Sequence, residues 1–174
     1  MSVDGICSTA VCIGRNYFDV AYMPETFSKT TAKSFRKGGI VNLERPLSWR
    51  ASIDGHFVLG HVDARARVVR VEKSGRSAMF TLSAPRKIAD YVVPRGSVAL
   101  NGVSLTVAKK EGRYSFKVGL IPQTLSTTNL GIISSGGEVN IETDLLMRYL
   151  IERKKHDRVI HHAKKRVRKK DSAP

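Results

Sequence analysis

Cysteine is almost missing from this chain: Cys7 and Cys12 are the only two in 174 residues. Five positions apart on an extended strand, they point to opposite faces, so no bridge between them is expected and a disulfide-stapled fold is excluded. Long apolar runs are absent too; none approaches the roughly 20 residues that a membrane-spanning helix needs. The opening Met1-Ser2-Val3-Asp4 has neither the basic start nor the apolar stretch of a secretory signal. A cytoplasmic protein without membrane contact is the expectation. Metal-binding patterns are also lacking, because His56 and His61, five apart on an extended segment, do not converge on one ion.

Negative charge is the other scarce commodity, with 15 Asp and Glu against 30 Lys and Arg, for a net +15. Nucleic acid is the usual partner for such an excess. Yet residues 154–170 alone carry nine Lys or Arg against Asp157, and no aromatic side chain interleaves them as a stacking platform requires. A solvated basic face on a terminal helix accounts for that run, and nucleic-acid binding by the tail is kept as the lesser alternative.

What the chain does have is an internal copy of itself. Residues 23–44 align without a gap on 121–142, with nine identities that include Pro24/Pro122, Thr26/Thr124, Asn42/Asn140 and Glu44/Glu142. Upstream, Asp4-Gly5-Ile6-Cys7-Ser8-Thr9 faces Asn101-Gly102-Val103-Ser104-Leu105-Thr106 at an offset one residue smaller. The chain therefore reads as two homologous units in tandem. Fifty-seven positions separate Glu44 from Gly102, whereas four precede Gly5, so the first unit is expected to lack up to fifty-three residues of its amino-terminal part. Either the chain is a fragment, or another chain completes that unit.

Strand signals dominate. Asn101-Gly102 between alternating apolar stretches is a strong hairpin signal, since that turn needs positive φ at both central residues. Ser104 and Thr106 then share one face, and Val103, Leu105 and Val107 the other. Further strands are expected over 62–72, 77–83, 113–121 and 138–143, with reversals at Gly75 and Gly112, and helical pieces over 85–91 and 123–130. Five or six strands at hairpin spacing imply a small closed antiparallel barrel, which leaves no unpaired edge. From Asp144 the pattern turns helical, with Leu146, Arg153, Ile160 and Val167 seven apart and Tyr149, His156 and Ala163 offset by three. Such a seam needs another helix to cover it, which implies an oligomer.

Taken together, Gly55-His56-Phe57-Val58-Leu59-Gly60-His61-Val62-Asp63, the run from Asn101 to Val107, and the paired Pro-x-Thr and Val-Asn-x-Glu signatures resemble riboflavin synthase and its non-catalytic relatives, the lumazine proteins. The resemblance runs from Val3 to Tyr149. It implies a mainly β fold of tandem six-stranded Greek-key barrels, the first incomplete, followed by a carboxy-terminal helix: a remnant barrel over 1–45, a complete one over 46–143, and helix and basic tail over 144–174. It also implies a homotrimer, no cofactor and no metal. The family reaction moves a four-carbon unit between two molecules of 6,7-dimethyl-8-ribityllumazine, giving riboflavin and a ribitylamino-pyrimidine. The alternative is a protein that binds lumazine or flavin without converting it.

By matched position the resemblance places acid/base chemistry on Ser104 and Asp144, with His61 as the active-site histidine and Cys7 as the cysteine of the amino-terminal barrel. Asp144 also suits a helix N-cap, and His56 reads as structural. In the first unit the pteridine contacts implied are Ile6, Cys7, Ser8 and Thr9, then Ala21, Tyr22, Met23, Pro24, Glu25 and Thr26, with Gly60, His61 and Val62 beside them. In the second unit they are Ser104, Leu105 and Thr106, then Gly119, Leu120, Ile121, Pro122, Gln123 and Thr124. Arg95 stands where the family usually has Lys, and a planar guanidinium does not simply replace a movable ammonium. Ser8, Asn101 and Gln123 also depart from the family's usual residues.

Overall fold

The computed structural model describes residues 1–157, and the second unit is a barrel that closes on itself. Its strands are β6 (Ala64–Ser74), β7 (Ser77–Ser83), β8 (Ser97–Leu100), β9 (Val103–Glu111), β10 (Ser115–Leu120) and β11 (Glu138–Thr143). Around the barrel they run β10-β7-β6-β11-β8-β9, all neighbours antiparallel. Alternating apolar residues build the core: Ala66, Val68, Phe80, Leu82, Val98, Leu100, Val107, Phe116, Val118 and Ile141 are essentially inaccessible, while β8 and β11 are buried on both faces. Asn101 and Gly102, at φ 46° and 81°, make the turn between β8 and β9, the two left-handed residues that the dipeptide signals. Gly75 and Gly112 turn at φ 58° and 66°.

Residues 85–91, expected to be helical, form consecutive turns instead. Ile88, Ala89 and Val92 are drawn into the core, and Lys110 Nζ donates to the carbonyls of Ala89 and Val92, the latter at 3.0 Å. Those contacts satisfy the backbone without a helical ladder. The piece expected over 123–130 is present as α2 (Pro122–Thr127) followed by a 3₁₀ turn over Asn129–Ile132.

The first unit repeats part of this plan in the same register. It has β1 (Ser2–Val3), β2 (Ile6–Cys7), β3 (Ala10–Ile13), β4 (Phe18–Val20), α1 (Pro24–Lys29), a 3₁₀ turn over Thr31–Ser34, and β5 (Leu43–Glu44). Ser2 pairs with Cys7 and Glu44 as Ala99 pairs with Ser104 and Glu142, and Ala10 pairs with Val20 as Val107 pairs with Val118. Counterparts of β8 to β11 are therefore present, and counterparts of β6 and β7 are not found among the described residues. One pair of core positions differs in kind. Where the second unit buries Leu105 and Leu120, the first has Ser8 and Tyr22, whose hydroxyls lie 2.7 Å apart.

Asparagines join the units in a reciprocal clasp. Asn140 accepts from Thr31 N–H at 2.7 Å and donates to the Asp4 carbonyl at 2.8 Å; Asn42 accepts from Asn129 N–H at 2.7 Å and donates to the Asn101 carbonyl at 2.9 Å. Gly5 and Gly102 meet at the centre, so closely that a Cβ on Gly5 would lie 2.5 Å from Gly102 N. The repeated Val-Asn-x-Glu signature is thus in part a joint. A helix, α3 (145–157), leaves β11. Asp63 holds its start, accepting from Thr143 N–H at 2.8 Å and from Arg148 at 2.6 Å. The expected seam positions Ile160, Ala163 and Val167 lie outside the described residues, as does most of the basic run.

Candidate active site

Ser104 is the second residue of β9, just past the tight turn, and its Oγ lies 2.7 Å from Nδ1 of His56. The approach depends on Gly55: at φ 96° it adopts a backbone form that L side chains rarely take, and a Cβ there would sit 2.5 Å from Ser104 Oγ. Burial lowers the His56 pKa below its ordinary 6.5, and the nearby Asp144 carboxylate opposes this. The imidazole is consequently neutral at physiological pH and able to accept a proton. Its Nε2 is buried without a partner. Asp144 also caps α3, its Oδ1 accepting from Leu146 N–H at 2.9 Å, so the capping role anticipated for it is present in the geometry.

A cavity of about 480 Å³ brings Ser104 and His56 together with Cys7, Gly60 and Gly102, bordered by the exposed loop containing Leu47 and Ile53. Cys7 and Ser104, matched positions of the two units, therefore open onto one space. On its other side Cys7 lines a smaller cavity of about 280 Å³ with Ile6, Met23, Glu25, Thr26, Gly60, His61 and Val62, along with Lys29 and Thr30. This second hollow gathers most of the contacts expected for the first unit. Its far wall is set by the second unit: buried Glu142 accepts from Leu59 N–H at 2.8 Å and Gly60 N–H at 3.0 Å, and the Gly60 carbonyl accepts from Cys7 N–H at 2.8 Å. Burial raises the Glu142 pKa, and the two backbone N–H groups counter it. Gly60 sits at φ 78°, and a Cβ would fall 2.7 Å from Cys7 N.

Other expected residues lie elsewhere. Leu105 and Leu120 turn their side chains into the barrel core. Ser8 is buried, its hydroxyl shared between the Ile6 carbonyl and half-buried Tyr22. Thr9 and Ala21 are exposed, and Pro24 opens α1 as its first residue. Thr106, Gly119, Ile121, Pro122 and Gln123 lie exposed on the outside of the second barrel, with Thr124 half-buried. Arg95 is exposed at φ 65° and borders neither cavity. Sequence reasoning placed His56 in the framework and His61 at the reacting centre; in the structure His56 contacts Ser104, and exposed His61 borders the first unit's cavity. The Gly55-His56 pair was the available signal, because only a glycine lets that backbone reach the serine.

The lumazine binding domain family model matches residues 1–46 and again 59–144. Riboflavin synthase of Chlamydia trachomatis serovar D is 40% identical over 155 residues, covering 87% of this chain and 73% of that protein. The riboflavin synthase of Brucella abortus is 39% identical over 154 residues, covering 86% and 76%, and that of Bacillus subtilis 35% over 150 residues, covering 86% and 69%. Among solved structures, LumP complexed with riboflavin superposes with a TM-score of 0.74 at 23% identity, covering 82% of this chain and 77% of the other, a likeness of fold. With matching tandem units, matching register and these relatives, the chain belongs to the lumazine-binding family that includes the riboflavin synthases.

Proposed function

We propose that this chain acts as a riboflavin synthase, moving a four-carbon unit between two molecules of 6,7-dimethyl-8-ribityllumazine to give riboflavin and 5-amino-6-(ribitylamino)uracil. The observation that carries the reading is the Ser104–His56 contact at 2.7 Å, beside the Asp144 charge and across one cavity from Cys7. The chemistry begins with loss of a proton from the acidic C7 methyl of one lumazine, whose carbanion delocalises into the ring. Ser104, hydrogen-bonded to a neutral imidazole, gives that proton a path to His56, and Asp144 stabilises the imidazolium that results. The transfer balances between two identical substrates, so no oxidant or reductant is consumed. Holding the two rings face to face is the larger contribution: positioning supplies roughly 7–11 kcal/mol, against about 10²–10⁴-fold for the base.

In this reading one pteridine lies in the Cys7–His61 hollow and the other against Ser104 and His56 in the neighbouring cavity. The units of the reading are 1–45, 46–143 and 144–174, and the assembly is a homotrimer. Leu146, Tyr149 and Leu150, exposed together on α3 at helical spacing, offer the apolar stripe that such an assembly would cover. A cytoplasmic address is part of the same proposal.

A non-catalytic carrier of lumazine or flavin is the second reading; LumP is solved with riboflavin, with 6,7-dimethyl-8-(1'-D-ribityl) lumazine and with flavin mononucleotide. The serine–imidazole pair favours the enzyme, since a carrier has no use for a proton acceptor. Purified protein incubated with 6,7-dimethyl-8-ribityllumazine should develop riboflavin fluorescence. Tight binding of lumazine with no conversion, also when the first barrel is completed, would leave the carrier.

A further inference from the structure

The β6–β7 hairpin overruns the barrel it belongs to. Pairing of β6 with β11 ends at Arg67, whereas β6 and β7 stay paired out to Ser74 and Ser77. Residues directly opposite one another in an antiparallel pair share a face, so Val71 and Lys73 stand on the same side as their partners Phe80 and Ala78. That side is the core side, since Phe80 and Ala78 are both buried in the core cluster. Lys73 thus continues an apolar row with a cation, where alternation calls for another apolar residue.

Opposite the overhang, the 3₁₀ turn over Asn129–Ile132 and the loop that follows it supply a second wall. A cavity of about 760 Å³ lies between, with Val71, Phe80, Leu125 and Ile133 in its apolar lining and Lys73 and Arg76 on the hairpin side. Ser77, Ser134 and Ser135 border it too, and no hydrogen bond occupies their hydroxyls among the described residues. Glu72, on the opposite face of β6, is held by Arg70 and Lys117. Among the described residues no carboxylate stands within ion-pair distance of Lys73 or Arg76. This hollow shares no lining residue with either cavity of the candidate active site.

We propose that this hollow is a binding site for a small amphiphilic acid, a carboxylate carried on an apolar body. Lys73 and Arg76 take the head, Arg76 through the two parallel bonds that a guanidinium offers a planar carboxylate, and the serine hydroxyls complete its hydrogen bonds. The body lies along Phe80, Leu125 and Ile133. An apolar lining with a few convergent polar groups, in a volume between roughly 300 and 1,000 Å³, is what small-molecule sites have in common. Charge decides the head, because a neutral group laid over the two cations would desolvate them without pairing them. The proposal does not rest on the enzymatic reading, and turnover is not its readout.

Decanoate is the probe, titrated below its micellar concentration into the whole chain and followed by calorimetry and by amide chemical shifts. We expect one saturable site, with shifts confined to residues 71–80 and 131–135. Octanoate should bind about fifteenfold less tightly, because each buried methylene is worth roughly fourfold, and decanol, which lacks the charge, about tenfold less. Lys73→Glu/Arg76→Glu should remove binding and leave the urea midpoint near that of the parent, since both side chains are exposed. Ser135→Glu sets a carboxylate at the rim and should weaken binding in the same sense. Absence of a saturable site for decanoate, equal affinity for decanol, or binding retained in Lys73→Glu/Arg76→Glu overturns the proposal. So does displacement of decanoate by 6,7-dimethyl-8-ribityllumazine, which would assign the probe to the candidate active site, or a set of shifts centred on Leu146, Tyr149 and Leu150, which would assign it to the exposed stripe of α3.

Discussion

Replacing Asn140 with alanine should part the two units without dismantling the second. The Asn140 side chain is 1% exposed and bonds two backbone groups of the other unit, Thr31 N–H and the Asp4 carbonyl. Alanine leaves both orphaned at a site that water does not reach. A buried unsatisfied polar group costs about 1–3 kcal/mol, so the interface should lose roughly 2–6 kcal/mol. The pseudo-equivalent Asn42→Ala should lose less, because Asn42 is half-buried and water can replace part of what it gave. Since Asp4, Asn101 and Asn129 belong to both halves of the clasp, the double variant should fall short of the sum. Amide exchange read by mass spectrometry separates local from global effects: in Asn140→Ala, β1, β2 and β5 should lose protection while β7, β9 and β10 keep theirs. Retained protection over residues 1–44 with a loss below about 1 kcal/mol would refute the idea that these asparagines are the joint.

Three further outcomes test the site. Ser104→Ala and His56→Ala should each slow riboflavin formation by about 10²–10⁴-fold with little change in lumazine affinity; Asp144→Asn should slow it too, and should shift the acid limb of the pH–rate profile lower, because it removes the charge that raises the His56 pKa. Gly60→Ala forces a left-handed φ on a residue with a Cβ, at about 1–2 kcal/mol, and drives that Cβ into Cys7 N; titration should show ligand lost from the first unit's hollow while the fold survives. Burial raises the pKa of Asp4 and of Glu142 from 3.8 and 4.5. The native state therefore holds extra protons above those values, so the stability they contribute is full below them and is lost as pH rises through the folded pKa values. Urea midpoints of Asp4→Asn/Glu142→Gln, compared with the parent across that window, should show a weaker fall with rising pH.

Alternation of apolar residues made the second barrel legible strand by strand, and Asn101-Gly102 located the hairpin that carries Ser104. Local pattern failed where distant contacts decide. Residues 85–91 follow a proline and read as helix, but three of their neighbourhood's apolar residues are pulled into the core and Lys110 binds two of the carbonyls. Likewise Asn140 could be recognised as part of a repeated signature, while its partner Thr31 lies 109 positions away. The pairing of His56 with Ser104 depends on a loop whose path is set by Gly55, and one glycine among 14 does not announce such an approach. Changes made in concert were half visible: Ser8 stands out as a polar residue in an apolar position, and only the fold shows Tyr22 reaching it.

The matched positions Cys7 and Ser104 open onto one cavity, and the imidazole hydrogen-bonded there, that of His56, is paired with Ser104. His56 belongs to the segment that precedes β6, and its Nδ1 lies 2.7 Å from Ser104 Oγ of the second unit. On the proposed reading, proton transfer belongs to the second unit and the first unit's hollow supplies positioning. If Cys7 only lines the wall, Cys7→Ser should turn over lumazine within a few-fold of the parent, whereas a carbamidomethyl group on Cys7 should obstruct both cavities at once and stop turnover. Cys12 is also exposed, on β3, so the measurement is made in Cys12→Ser, with inactivation by iodoacetamide followed in the presence and absence of lumazine. Protection by lumazine and resistance of Cys7→Ser/Cys12→Ser are the expected results. A Cys7→Ser variant as impaired as Ser104→Ala would instead place the thiol in the chemistry and end the division of labour argued from the Ser104–His56 pair.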